Sequence, residues 1–221
     1  MRPLCVTAKL AGPVCMPEYG VALDACLAAA VCQRDQVPPA FTEAEVIDIE
    51  IPVAMEPSGR FHLCSNGVYT AEHRESRYKQ RRPVIGEMQA MGDAVKTMRI
   101  NAGPSKGYRI PFEVVRCSED EIRWWMVGDE MGVRGLLDFV MYVGKHRAVG
   151  VGRVLAWTVE PCEPWGDGFP VVIDGQPLRA LPPDWPGLVT PVVVDATLTY
   201  PYWLRERRQP CAIPTMDGFP R

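Results

Sequence analysis

Twice along this chain a strand pattern gives way to a helix pattern and then to another strand, and that recurrence limits the fold more than any other feature. From Pro3 to Leu10, Leu4, Val6, Ala8 and Leu10 alternate with more polar neighbours, the period of two that a half-buried strand requires. Gly12 and Pro13 break it. Between Ala22 and Gln33, Leu23, Leu27, Ala30 and Val31 fall on one stripe among good helix formers, which predicts an amphipathic helix. Pro38 and Pro39 close that unit, and the run Val46 to Val53, with Ile47, Ile49 and Ile51, predicts a second strand.

The second unit starts with a turn at Gly103-Pro104-Ser105-Lys106-Gly107. Tyr108 to Arg116 then sets Tyr108, Ile110, Phe112 and Val114 on one face, and Ile122 to Gly128 reads as its partner in a long hairpin. There Trp124 and Trp125 point to opposite faces, so at most one reaches the core. Asp129 is placed as the N-cap of a helix running to Val143 on Val133, Leu136, Leu137, Val140 and Met141, and Val151 to Val159 is rich in strand formers. Strand-helix-strand beside hairpin-helix-strand predicts an α+β protein with an antiparallel, ferredoxin-like (RRM-like) or related sheet.

With 22 prolines and 19 glycines in 221 residues, turns and long connections outweigh a helical bundle. Phe61 to Thr70 reads as a short strand or a hairpin about Asn66-Gly67, and Glu72 to Arg82 as a helix end or loop. From Pro161 onward, irregularly spaced prolines and tryptophans predict an extended arm with short strands such as Val192 to Tyr200. The expected division is therefore 1–160 and 161–221.

Eight cysteines stand apart without a CxxC pair, which favours buried thiols over a metal site. No signal peptide opens the chain and no apolar run reaches the ~18 residues that span a bilayer, so the expected setting is the reducing cytoplasm, off the membrane. No cofactor-binding motif is present.

A net charge of −3 hides a segregated distribution. Residues 18–56 carry eight acids against Arg34 alone, whereas 72–82 hold five bases, Arg74, Arg77, Lys79, Arg81 and Arg82, against Glu72 and Glu75. Lys96, Arg99, Lys106, Arg109 and Arg116 face only Glu113 within 96–116. Convergence of these segments would make a positive face on an acidic body.

The segment Gly144-Lys145-His146-Arg147-Ala148-Val149-Gly150-Val151-Gly152-Arg153-Val154 has the composition of a phosphate-binding loop. Gly144, Gly150 and Gly152 permit positive φ and close approach, and Lys145, Arg147 and Arg153 supply charge with no acid between them. His146 is able to stack or hydrogen-bond, Lys106, Tyr108 and Arg109 form a companion set, and Tyr78 is placed to stack on a base. The competing expectation for each is a solvated turn or simple packing.

The opening Pro3-Leu4-Cys5-Val6-Thr7-Ala8, the helix holding Leu23-Asp24, the turn and strand Asn101 to Pro111 and the loop Gly144 to Val154 together resemble the Cas-five-like RAMP subunit of type IV CRISPR effector complexes. The resemblance spans residues 3 to about 160. It implies a ferredoxin-like core with an inserted β-hairpin that binds the repeat-derived 5′ end of the guide RNA (crRNA) and caps one end of the assembly. It further implies contacts with Cas-seven-like backbone subunits and a large or small subunit, and with target DNA through the complex. In such machines base pairing supplies sequence choice, and the protein holds backbone and shape.

Two other classes compete. Some relatives cut precursor RNA without metal, and His62, His73 and His146, helped by Tyr78 or Lys79, are the available bases; no spacing joins them, so no catalytic residue is expected. The other is a protein-only interaction module using the acidic N-terminal region and the proline-rich arm.

Overall fold

The computed structural model describes residues 1–17, 19–81, 108–163 and 171–214, with backbone alone at 80, 81, 108 and 109. The fold is α+β, with antiparallel sheets and few helices. Its contacts divide the chain into two units, Met1–His73 with Val115–Arg221, and Arg74–Val114.

In the first unit, β1 (Arg2–Leu10) lies between β4 (Glu121–Gly128) and β5 (Val154–Pro161), antiparallel to both. Val6 stands opposite Trp124 on one side and Val159 on the other. All three are buried, as are Leu4, Ala8, Leu10, Ile122 and Met126, because residues of one parity share one face of a sheet. That face packs on α1 (Leu23–Arg34) and α2 (Glu130–Leu137), which contribute Leu23, Leu27, Val31, Val133, Leu136 and Leu137 to one core. Each fully buried large apolar side chain contributes roughly 1.5–3 kcal/mol. Trp124 is fully buried and donates its indole N–H to the Val21 carbonyl at 2.9 Å, whereas Trp125 is half-buried, as their opposite parity requires.

A further extended segment, residues 63–68, runs antiparallel along the far edge of β4, with Cys64 opposite Met126 and Val68 opposite Arg123. Met126 and Arg123 already pair with Leu4 and Thr7 of β1, so the segment must occupy the other edge. The spatial order is β5, β1, β4, then 63–68.

Local signals with a clear period match what forms. The first helix spans Leu23–Arg34, and Asp129 caps α2 by accepting a hydrogen bond from Gly132 N at 2.7 Å. Five readings are corrected. Residues 46–53 make a single bridge, Val53 to Gly128, rather than a strand, because Pro52 has no N–H to give to a ladder. Asn66-Gly67 does not turn a hairpin: Asn66 N donates to Leu178 O and Gly67 N to Val21 O, which draws the segment straight on. The third strand, β3 (Tyr108–Cys117), pairs with β2 (Ala71–Arg81), while β4 pairs with β1. Glu72 to Arg81 is thus strand rather than helix end or loop, its backbone paired to β3, and Arg82 lies outside the described residues. Finally, α2 stops at Leu137, leaving Met141 61% exposed, and the following strand starts at Val154 because Val151 and Gly152 are still turning and Arg153 makes only an isolated bridge to Tyr142.

Past β5 come β6 (Val172–Ile173), β7 (Gln176–Pro177), β8 (Val192–Ala196) and β9 (Gln209–Ile213). β8 ends short of the expected Tyr200 and pairs antiparallel with β9. These residues share a second core, in which Val171, Leu181, Leu198 and Cys211 meet Phe61 and Leu63. Cys15, Cys26, Cys64, Cys117 and Cys211 are buried, and burial pushes Cys26 and Cys117 up to about 12. Among the described residues no helix is long and apolar enough to cross a membrane.

Candidate nucleic-acid interface

The basic loop is pinned at both ends to the segment that leaves β1. Lys145 N donates to Cys15 O at 2.7 Å, Gly152 N to Pro13 O at 3.0 Å, and Val143 N to Gly152 O at 2.8 Å. Such close backbone contact is what two of its glycines serve. A Cβ on Gly144 would stand 2.5 Å from Cys15 O and one on Gly152 2.0 Å from Val143 O, with φ of +78° and +73°. Gly150 differs, since a Cβ there would meet nothing within 4 Å. Glycine therefore builds this loop through close backbone contact at 144 and 152 and through its φ of +80° alone at 150.

Between the pins, His146 takes a left-handed conformation and starts a single 3-10 turn at Arg147–Val149. The turn throws the cations outward: Lys145, Arg147 and Arg153 are all exposed, and none enters an ion pair among the described residues. Most other arginines of this unit are committed, as Arg123 is to Glu121 at 3.0 Å and Arg134 to Glu130 at 3.1 Å. Three uncompensated cations on a braced loop leave a patch whose charge an anion would neutralise. Beside it, Arg147, Tyr142, Phe139 and Gln33 line a hollow of about 460 Å³ above Cys26 and Ala30 of α1.

In the second unit, strand parity puts Arg74 and Tyr78 on one face of β2 and Arg77 and Lys79 on the other. Arg74 pairs with Glu113 at 2.8 Å and Arg77 with Glu75 at 2.5 Å. Tyr78 is 51% exposed and Lys79 is exposed. Lys106 and Arg82, and the side chains of Arg81, Tyr108 and Arg109, lie outside the described residues.

The three histidines occupy separate elements: His73 on β2, His146 in the loop, and His62 against the buried carboxylate of Asp24, with Nδ1 3.5 Å from Oδ2. That carboxylate anchors a network the sequence reading missed. Arg179, 1% exposed, points Nη1 at Asp24 Oδ2 across 3.2 Å and gives Nη2 to Leu198 O at 2.7 Å, and the Tyr202 hydroxyl donates to the same carboxylate oxygen. Burial alone would raise the pKa of Asp24, but the Arg179 charge, with His62 and Tyr202, holds it at about 2. One signal was available: Asp24 sits three residues before Leu27 and seven before Val31, on the apolar stripe, where a charge requires a buried partner.

The first unit is thus an α+β fold that carries a basic loop, free of ion pairs among the described residues, beside its central sheet. More particularly, the chain belongs to the family of CRISPR type IV associated protein Csf3, whose family model matches residues 64–214. Membership makes it a component of a type IV CRISPR complex. The match takes in β2 through β9 and the whole basic loop. No curated protein matches the chain.

Proposed function

We propose that the chain is the guide-RNA-binding subunit of its type IV complex, a Cas-five-like RAMP protein that holds the repeat-derived 5′ end of the crRNA and does not cut it. The observation that carries this reading is the trio Lys145, Arg147 and Arg153, exposed and without ion pairs among the described residues on a loop tied to Pro13 and Cys15. Single-stranded RNA is held by phosphate contacts and by lodging unstacked bases against aromatic or guanidinium planes, and the hollow beside Arg147 offers room for a base next to Tyr142 and Phe139. Arg74, Arg77, Tyr78 and Lys79 on β2 are a second contact set in this reading, and Arg81, Arg82, Lys106, Tyr108 and Arg109 are further candidates by sequence.

The strand order supports a ferredoxin-like core. With β2 and β3 inserted between its second and third strands, the order strand, helix, strand, strand, helix, strand, in which the 63–68 segment is the second strand, gives an antiparallel sheet whose first strand is central and whose helices share one face. In this role the protein caps the backbone of Cas-seven-like subunits, touches the large or small subunit, and meets target DNA through the guide. Sequencing the RNA that co-purifies with the tagged complex tests this: a population sharing one repeat-derived 5′ end is expected. Random RNA ends, or cleavage of repeat RNA by the isolated protein, would contradict it.

A further inference from the structure

Away from the loop, the first unit holds a cavity of about 420 Å³ between α1, residues 46–55 and residues 199–202. Asp24, His62 and Tyr202 line its inner part, Tyr200 a wall, and the exposed carboxylates of Asp48 and Glu50 its mouth. The cavity's charge is opposite to that of the basic loop. Its lining cation, Arg207, is already bound to both carboxylate oxygens of Glu43, with Nε 2.8 Å from Oε2. Asp24 is compensated by Arg179, but neither Asp48 nor Glu50 forms an ion pair among the described residues. Arg207 also feels the charge of Asp48, though no ion pair joins them, so what remains is a recess rich in acceptors and aromatic faces whose mouth keeps the charge of Glu50 and part of that of Asp48.

Those features select the occupant by chemistry. Phosphate is repelled, and a neutral apolar side chain would strand the carboxylates. A guanidinium or ammonium on an aliphatic stem satisfies both, since its donors meet carboxylates and phenol oxygens while its charge lies against tyrosine rings. The surroundings extend the argument, because residues 18–56 carry eight acids and one base.

Because the chain is a component of a multi-subunit complex, we propose that this cavity is the docking site for a basic side chain, arginine or lysine, presented by a protein subunit of that complex. The acidic face thereby holds protein while the loop holds RNA. The inference rests on family membership and on the cavity, and stands apart from the RNA reading.

The test is to express the chain with the other proteins of its complex and to compare wild type with the double variant Asp48→Lys/Glu50→Lys. Each identified subunit is quantified by mass spectrometry, and RNA by absorbance and sequencing. One protein subunit is expected to fall at least about tenfold in stoichiometry while RNA content stays at the wild-type level. The milder Asp48→Asn/Glu50→Gln pair should give a smaller loss of the same subunit, and replaces the reversal if that fails to fold. Retention of every subunit at wild-type stoichiometry overturns the proposal, as does loss of RNA. A parallel Lys145, Arg147 and Arg153 reversal reads the RNA account separately, so failure of one leaves the other standing.

Discussion

Changing Lys145, Arg147 and Arg153 together to glutamate is expected to strip RNA from the protein while leaving its fold intact. All three side chains are exposed and carry no ion pair among the described residues, so each change should alter stability by no more than about 0.5 kcal/mol. Binding responds differently. Three attractive phosphate contacts become repulsive, and losing even about 1 kcal/mol at each lowers affinity on the order of 100-fold. The same reversal at Arg74 and Arg77 should cost less, because those cations are already partnered by Glu113 and Glu75. Filter binding to a repeat-derived RNA, beside a thermal melt of each variant, reads both quantities. An unchanged affinity in the triple variant would remove the loop from the account.

The largest effect on stability is expected at Arg179. Replacing it with leucine leaves the Asp24 carboxylate buried without its cation and orphans the Leu198 carbonyl, a loss of about 3–5 kcal/mol. The double variant Asp24→Asn/Arg179→Leu should recover part of that loss, since removing both charges costs less than stranding one. Urea midpoints of the two single variants and the double give the coupling, and strict additivity would contradict it. Acid supplies a second reading. Asp24 titrates lower when folded, at about 2 against 3.8 for an ordinary aspartate, so its contribution is full above pH 3.8 and is lost as pH falls through about 2. Asp24→Asn should flatten part of that acid limb.

The parts of the fold that were legible in the sequence are those whose reasons are local. β1 and β4 bury alternate residues, and Trp124 against Trp125 follows from parity alone; α1 shows its stripe, and Asp129 needs only the helix it caps. β2 was illegible because no apolar alternation marks it: its polar residues stay in solvent and its order comes from pairing with β3. The apolar run 46–53 misled in the opposite sense, since Ile49 and Ile51 pack on the core without any ladder. Arg179 and Asp24 lie 155 residues apart, a distance at which spacing carries no information, although the charge on the α1 stripe was a clue.

The candidate site was legible in its charges and less so in its glycines. Lys145, Arg147 and Arg153 could be read as one cationic group because they sit within nine residues of a loop free of acids. The glycines looked like access for a ligand, but Gly144 and Gly152 meet the chain's own backbone at Cys15 and Val143. That contact depends on where the loop returns to the segment after β1, which no local pattern encodes. It makes the loop a braced platform for its cations.

The salt dependence of RNA binding tests that central claim most directly. Each phosphate neutralised on a single strand adds roughly 0.7 to the slope of log affinity against log salt. Replacing Lys145, Arg147 and Arg153 with glutamine should therefore lower the slope by about 2 relative to wild type. An unchanged slope would mean that these three cations touch no phosphate, and the RNA-gripping role of the loop would be wrong.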